Sequence, residues 1–466
     1  MAAQGSILGN AVTRKEDPGL LTGSNHYVDD LDIDAARIVF VRSTMAHASL
    51  LEVDISEAVN MPGVLAVYTS DNLEMPAVNQ SEFMDPSMNR PPLAVGRVRF
   101  VGDIIAAIVA ESHSQAVDAA EQVIVDYDPL PANADIEAAL ADDAHILWEG
   151  AENNVCFAIG NEYDGPDVTE GADTVVSERI VTQRLAGVPM ESNGCVAIPE
   201  GDSMTFYAST QAAHGLRDGL APTLGLEPDN LRVVAPWVGG GFGPKAGLYI
   251  EFILCGKAAQ ELARPVRWTE QRGENMLSMA QGRAMVMTAD LGVNNDGSIV
   301  GLKARVVADA GAYPAIGAIL PMLTMQLSQA VYDIPAIDFF AQSVLTNTTV
   351  IGAYRGAGRP EATQMVERIL DKAAHAIGMD PAELRRKNYI QPDAFPLTTL
   401  VGANYDSGEY ERSLDAVLEA SGYADLRAEQ ARRREANDPM MLGIGVSSYV
   451  EVTAPIGLHV EYGSCE

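Results

Sequence analysis

The spacing of apolar positions divides this chain into stretches of different period. Residues 362–377 carry the clearest helical signal: Met365, Val366, Ile369, Leu370, Ala373 and Ile377 share one face, and Gly378 closes the helix. Asp380 and Pro381 then cap a second helix, through Glu383 to Lys387. Earlier, Ser112 and Gln115 have capping-box spacing ahead of an Ala-rich helical run to Val123, after which VIVDY alternates as a strand. From Val233 an apolar, strand-like run enters a cluster of glycines and emerges as a helix-like run, Tyr249 to Leu262. Strands and helices alternate in this way over 166–390, which predicts a mixed α/β domain. Toward the end, a helix at Tyr410 to Ala420 and a charged helix containing Arg432 to Arg434 precede two expected strands, LGIGVSSYVEV and LHVEYG.

These elements group into a polar arm at 1–20, a compact unit at 21–135, a linker at 136–165 rich in acids, Asn and Gly, a domain at 166–391 and the start of another at 392–466. With 466 residues and 47% apolar content, there is material for two or three cores. The formal charge of −33 repels phosphate backbones and anionic lipid, which argues against nucleic-acid and membrane-surface partners. Runs such as IIAAIVA at 104–110 fall far short of the roughly 20 apolar residues of a spanning helix. The start, MAAQGSILGNAVTRKED, lacks a secretory pattern, so a cytoplasmic location is expected. Cys156, Cys195, Cys255 and Cys465 show no C-x-x-C spacing and the histidines no ligand pair, so no metal site made of the chain's own side chains is expected.

The densest chemistry is VVAPWVGGGFGPKA at 233–246. Gly239, Gly240, Gly241 and Gly243 bare the backbone over five residues, as a loop does when its N–H groups approach a ligand closely. A helix N-terminus expected at about Gly247 makes that ligand anionic, a phosphate or a strongly polarised oxo group. Gly241, Gly243 and Ala246 also satisfy the G-x-G-x-x-A spacing of a dinucleotide turn, which keeps a nicotinamide-dependent dehydrogenase as an alternative. Pro244 inside the turn and the distance to Glu270, the next candidate ribose acid, count against it. A tight turn without a ligand is the third reading.

GGGFGPK at 239–245, YASTQ at 207–211 and AYRGAGRPEA at 353–362 together resemble the molybdopterin-binding large subunit of the xanthine dehydrogenase, aldehyde oxidase and carbon monoxide dehydrogenase family. TRKEDPGLLTGSNHYVDD, RSTMAHASLLEVDISEA and the run from Arg97 to VDYDPLPA resemble that family's a/b hammerhead domain. The resemblance covers essentially the whole chain. It implies an α+β fold, in which an a/b hammerhead domain precedes a mixed α/β molybdopterin-binding domain and the beginning of a second. The family's glycine-rich motif with the catalytic glutamate is absent, which implies either a truncated chain or one half of a split subunit, non-catalytic by itself. The expected activity is oxidative hydroxylation of an aldehyde or a similar small carbonyl or heterocyclic substrate, with water as oxygen source. The expected cofactor is molybdopterin with molybdenum, in the cytosine dinucleotide form and held through the pterin dithiolene. The expected partners are an iron–sulfur small subunit carrying 2Fe-2S clusters, an FAD medium subunit and, if split, the second half of the large subunit.

By position, the resemblance makes Gln211 a donor to the apical oxygen of molybdenum. Gly240, Gly241, Phe242 and Gly243 line the same side, with the Gly243 N–H as a fixed dipole and Phe242 excluding water. Arg355 lies beside the substrate, followed by Gly356 and Ala357 at the cofactor. The alternatives are a polar strand end for Gln211 and an ion pair with Glu361 for Arg355. Glu191, in PMESNGCVA, is assigned to structure, and Glu451 and Glu461 are read as ordinary exposed acids on strands. Gly356 stands where carbon monoxide dehydrogenases proper carry a copper-binding cysteine. Ala357 and Ala246 stand where purine-oxidising members place an aromatic and an acid. An aldehyde-oxidase-like pocket remains.

Overall fold

The computed structural model describes residues 10–79 and 83–451. They form two compact units, one from residues 10–79, 89–131 and 186–279, the other from 83–88, 132–185 and 280–451.

The first unit is organised by a seven-stranded sheet, in the order Leu231–Val234, Ser203–Ala208, Gly194–Glu200, Val266–Thr269, Ala36–Arg42, Ile104–Ala110 and Val64–Tyr68. Ile104–Ala110 is buried at every position, because Ile104, Ala107 and Val109 enter one core while Ala106, Ile108 and Ala110 enter another. Helix His113–Ala120 packs on the second of these faces, with Ser112 Oγ accepting the Gln115 N–H as the capping-box spacing predicts. On the first face lie helices Ala213–Thr223 and Ile250–Leu262, with Phe252 edge-on to Phe206 and Trp268 at 5.9 and 6.1 Å. Truncating a buried aromatic such as Trp268 costs about 3–5 kcal/mol. A smaller sheet pairs Ala48–Asp54 with Arg97–Val98 and Ile124–Pro129. Spatial grouping cuts across the linear division into 21–135 and 166–391. Ala36 pairs in parallel with Val266, so residues 186–279 complete the sheet begun by the hammerhead strands.

In the second unit a five-stranded sheet runs Val155–Gly160, Ile337–Leu345, Ile299–Gly311, Met285–Val293 and Thr174–Thr182. Helix Arg359–Ile377 buries Met365, Val366, Ile369, Leu370 and Ala373 against it and ends on Gly378 at φ 71°. The helix starts three residues before the expected 362, because Pro360 suits its first turn and Gly358, at φ 89°, supplies the bend before it. Asp380 accepts the Ala382 N–H to cap helix Pro381–Asn388, and Gly422 at φ 63° separates helices Tyr410–Ser421 and Tyr423–Glu435.

Two expectations are corrected. The stretch 136–165, read as a linker, contains an edge strand, Val155–Gly160, whose apolar VCFAI core is short and hidden among polar flanks. Of the expected strand at 442–452, residues 442–451 are described and form none: Val446 and Val450 pack on the core and Ser448 bonds Tyr389, but the backbone has no ladder partner among the described residues. LHVEYG, with Glu461, lies outside the described residues. Among the described residues no helix is long and apolar enough to cross a membrane.

Candidate functional site

In the first unit, the strand Ser203–Ala208 carries Phe206 and Ala208 into the core and continues into buried Ser209 and Thr210 before Gln211 emerges at the surface. The loop after Leu231–Val234 returns alongside it. The Gly243 N–H donates to Gln211 Oε1 at 2.7 Å, and the Gln211 N–H donates to the Lys245 carbonyl at 2.9 Å. Since a backbone N–H requires an oxygen acceptor, this contact fixes which end of the amide faces the loop. The Gln211 NH2 has no protein acceptor among the described residues.

The loop's glycines answer to the chain's own side chains as well as to a ligand. A Cβ on Gly239 would lie 2.4 Å from Glu191 Cβ, and one on Gly241 would lie 2.3 Å from Gln211 Oε1. Gly240 and Gly243 hold φ of 94° and 105°, and between them Phe242 holds 57° and is 42% exposed. The Gly243 N–H, expected as a fixed dipole on the cofactor side, donates to Gln211 and orients that amide. The first turn after the loop is the short 3-10 segment Pro244–Ala246, and the helix begins at Ile250.

Beneath the loop lies an ion pair that the sequence reading missed. Lys245 has a side chain with no exposure, and its Nζ donates to Glu191 O at 2.8 Å, Glu191 Oε2 at 3.0 Å and Ser209 Oγ at 2.7 Å. Glu191 Oε2 also accepts from Ser209 Oγ at 2.6 Å and the Gly239 N–H at 2.8 Å. Burial pulls the Lys245 amine below its ordinary range, against the opposing attraction of Glu191. The structural assignment of Glu191 fits these contacts. The only hint in the sequence is a lysine directly after a glycine-rich, apolar run.

Glu270, the candidate ribose acid, is buried and engaged. Its Oε2 accepts the Asn193 N–H and Asn275 Nδ2, both at 2.7 Å, and burial pushes its carboxyl up to about 7. With the helix starting seven residues after Gly243 and this acid occupied, the loop departs from a dinucleotide turn, in which the last glycine opens the helix directly.

In the second unit, Arg355 sits on a loop where Gly356, Ala357 and Gly358 hold φ of 95°, 45° and 89° in succession. Arg283 secures this turn by donating to Tyr354 O at 3.1 Å and Arg355 O at 2.6 Å while its guanidinium lies 4.9 Å from the Tyr354 ring centroid. Arg283 also takes Glu361, at 3.3 Å, so the ion pair considered for Arg355 belongs to another arginine. The Arg355 guanidinium itself is exposed and has no partner among the described residues. A Cβ on Gly356 would stand 2.4 Å from Pro360 Cγ, so this turn resists a side chain there. Glu451, exposed as expected, pairs with Arg359 Nε at 3.3 Å instead of lying on a strand.

The family model for the molybdopterin cofactor-binding domain matches residues 147–389, and that for the aldehyde oxidase and xanthine dehydrogenase a/b hammerhead domain matches residues 22–131. The chain belongs to the molybdopterin-binding large-subunit family of xanthine dehydrogenases, aldehyde oxidases and carbon monoxide dehydrogenases. It is 35% identical over 460 residues to the carbon monoxide dehydrogenase large chain of Hydrogenophaga pseudoflava, covering 94% of this chain and 57% of that one. The nicotine 6-hydroxylase large subunit of Paenarthrobacter nicotinovorans is 32% identical, with 96% and 56% covered. Among solved structures, quinoline 2-oxidoreductase from Pseudomonas putida 86 matches with a TM-score of 0.86 and 31% identity over 92% of this chain and 56% of that one. This family member thus spans somewhat over half the length of the relatives it matches. In a molybdopterin-binding fold, the Gln211 NH2, oriented by the Gly243 N–H, is a neutral donor that suits a metal arriving with its own ligands. Among the described residues no group of three or more His, Cys, Asp or Glu could hold a metal ion.

Proposed function

We propose that this chain works as the cofactor-holding part of a molybdenum hydroxylase large subunit, acting on an aldehyde or a small nitrogen heterocycle. The observation that carries this reading is the Gln211–Gly243 pair, which presents an oriented NH2 donor beside a bare glycine loop. When bound, the molybdenum centre supplies oxidative hydroxylation with water as the oxygen source. The chain's residues supply the surroundings. Gln211 donates to an oxygen whose charge changes during turnover, and a neutral donor tolerates both charge states. Phe242 covers the loop with an apolar face and keeps water from it. Arg355, without a partner in its own unit, is available to stabilise negative charge developing on the substrate.

Gly356 offers no thiol, and its φ of 95° together with Pro360 resists a cysteine, which supports a copper-free reaction. Ala357 in place of an aromatic supports a pocket without a stacking face for purines. The cofactor is taken to be the cytosine dinucleotide form of molybdopterin, and the electrons to leave through an iron–sulfur subunit and an FAD subunit. The unpaired thiols of Cys156, Cys195 and Cys255 suit a reducing, cytoplasmic setting.

The test is co-production with the iron–sulfur and flavin subunits and with the part of the large subunit that its relatives carry beyond the matched length, followed by turnover of aldehydes and N-heterocycles in 18O-labelled water. Label in the product supports the reading. A cofactor-loaded complex that turns over none of these substrates refutes it.

A further inference from the structure

Lys245 is joined to both sides of the glycine loop. Its Nζ donates to Ser209 Oγ at 2.7 Å and its carbonyl accepts from Thr210 Oγ1 at 3.1 Å and the Gln211 N–H at 2.9 Å, so one residue fixes three consecutive positions of the strand end. The same Nζ holds Glu191 through a carbonyl and a carboxylate oxygen. Glu191 in turn holds the Gly239 N–H, and Gln211 holds the Gly243 N–H. The contacts close a ring: Lys245 to Glu191, Glu191 to Gly239, along the loop to Gly243, Gly243 to Gln211, and Gln211 back to Lys245. Both ends of the loop are therefore tied back to Lys245, the Gly239 end through Glu191 to its ammonium group and the Gly243 end through Gln211 to its backbone carbonyl.

The chemistry of that group limits what it does. All three ammonium protons are directed at oxygen acceptors, and a neutral amine has only two N–H protons to give. It is also sealed from solvent, so it has no face left for a substrate. The strap that bears Glu191 is held independently from the other side, where Arg272 donates to Pro189 O at 2.7 Å and Ser192 Oγ to Glu270 O at 2.7 Å. Loss of the Lys245 ammonium would release Glu191 and Ser209, and with them the Gly239 end of the loop and the strand end at Ser209, while leaving the strap and the backbone bonds to the Lys245 carbonyl in place.

We propose that Lys245 is a positioning residue: acting through Glu191 and Ser209, its buried charge sets the conformation of the 239–243 loop and thereby, through the Gly243 N–H, the orientation of the Gln211 amide. The functional part rests on the hydroxylase reading. The structural part does not, and hydrogen exchange tests it separately.

Lys245→Met removes all three donors at nearly the same length. It strands the Glu191 carboxylate, so the double variant Lys245→Met/Glu191→Leu, which exchanges the buried pair for apolar contact, keeps a folded comparison in hand. In both variants of the full chain, peptides covering 207–211 and 239–245 should exchange amide hydrogens roughly tenfold faster or more, as expected when buried hydrogen bonds are lost. Peptides from Ile104–Ala110 should be unchanged. In the assembled, cofactor-loaded complex, the double variant should lose roughly tenfold in kcat with KM retained, the signature of an interaction felt in the transition state alone. Unchanged exchange at both segments in the double variant overturns the proposal. So does a general rise across the first unit, which would make Lys245 an ordinary packing residue. Local loosening in a protein that never binds molybdenum keeps the brace and removes the hydroxylase reading.

Discussion

Gly243 donates its N–H to Gln211 Oε1 at 2.7 Å, and through that bond the loop aims the amide of a residue on a neighbouring strand end. No described protein group accepts the two NH2 protons of Gln211. The pairing also accounts for Gly241, where any Cβ would occupy the place of Gln211 Oε1.

Gln211→Ala removes the donor without touching the ion pair beneath it. Cofactor content should stay at the parent level while kcat falls roughly 10- to 1000-fold, the range for one preorganised donor. Steady-state kinetics on the assembled complex, normalised to molybdenum, measure this. A rate within about twofold of the parent would sink the assignment.

Glu270 makes stability depend on pH. Its carboxyl is raised by burial, with Glu251 and Glu274 adding to the effect and the Asn193 N–H and Asn275 opposing it, from the ordinary 4.5 to about 7. The native state then keeps a proton that the unfolded state has released. Stability contributed by this group is full below about 4.5 and is lost as pH rises toward about 7, by up to ~1.4 kcal/mol per unit. Glu270→Gln should flatten that part of the curve in denaturant titrations at a series of pH values. A variant with the parent's full slope between those limits would place the titrating group elsewhere.

Arg355→Leu should leave thermal stability nearly unchanged, because the guanidinium forms no ion pair among the described residues. Turnover should drop by roughly 100-fold if the charge stabilises an oxyanion. The contrast is Arg283→Leu, which frees the Tyr354 and Arg355 carbonyls and strands buried Glu361, and should cost about 3–5 kcal/mol. Equal melting temperatures for the two variants would contradict this division of labour.

Where the sequence was legible, the signal was local. The face of the 359–377 helix, its Gly378 stop and the Asp380 cap all depend on residues within a few positions of each other. The glycine loop was recognisable for the same reason. Lys245 was not, since what makes it a brace is contact with residues 36 and 54 positions away in sequence. Long-range pairing likewise decided the two misread segments. Val155–Gly160 became a strand because Ile337–Leu345 offered it an edge, and 442–451 pairs with no strand among the described residues. The grouping of 186–279 with the hammerhead strands rests on a pairing between Ala36 and Val266 that no local pattern announces. For Arg355, sequence left two roles open, and the structure closed one by giving Glu361 to Arg283.

The central claim is that the 239–243 loop carries the molybdenum cofactor, and the most direct measurement is molybdenum and pterin content of the purified protein against that of Gly243→Val. Valine at φ 105° is strained and disturbs the N–H that orients Gln211, while the sheet of the first unit has no need of that position. The parent should hold molybdenum and pterin in equal amounts, and the variant should hold neither while keeping the parent's secondary structure. A parent without molybdenum when assembled, in cells that make the cofactor, with its partners and the part of the large subunit that its relatives carry beyond the matched length, or a variant that retains it in full there, would contradict the account.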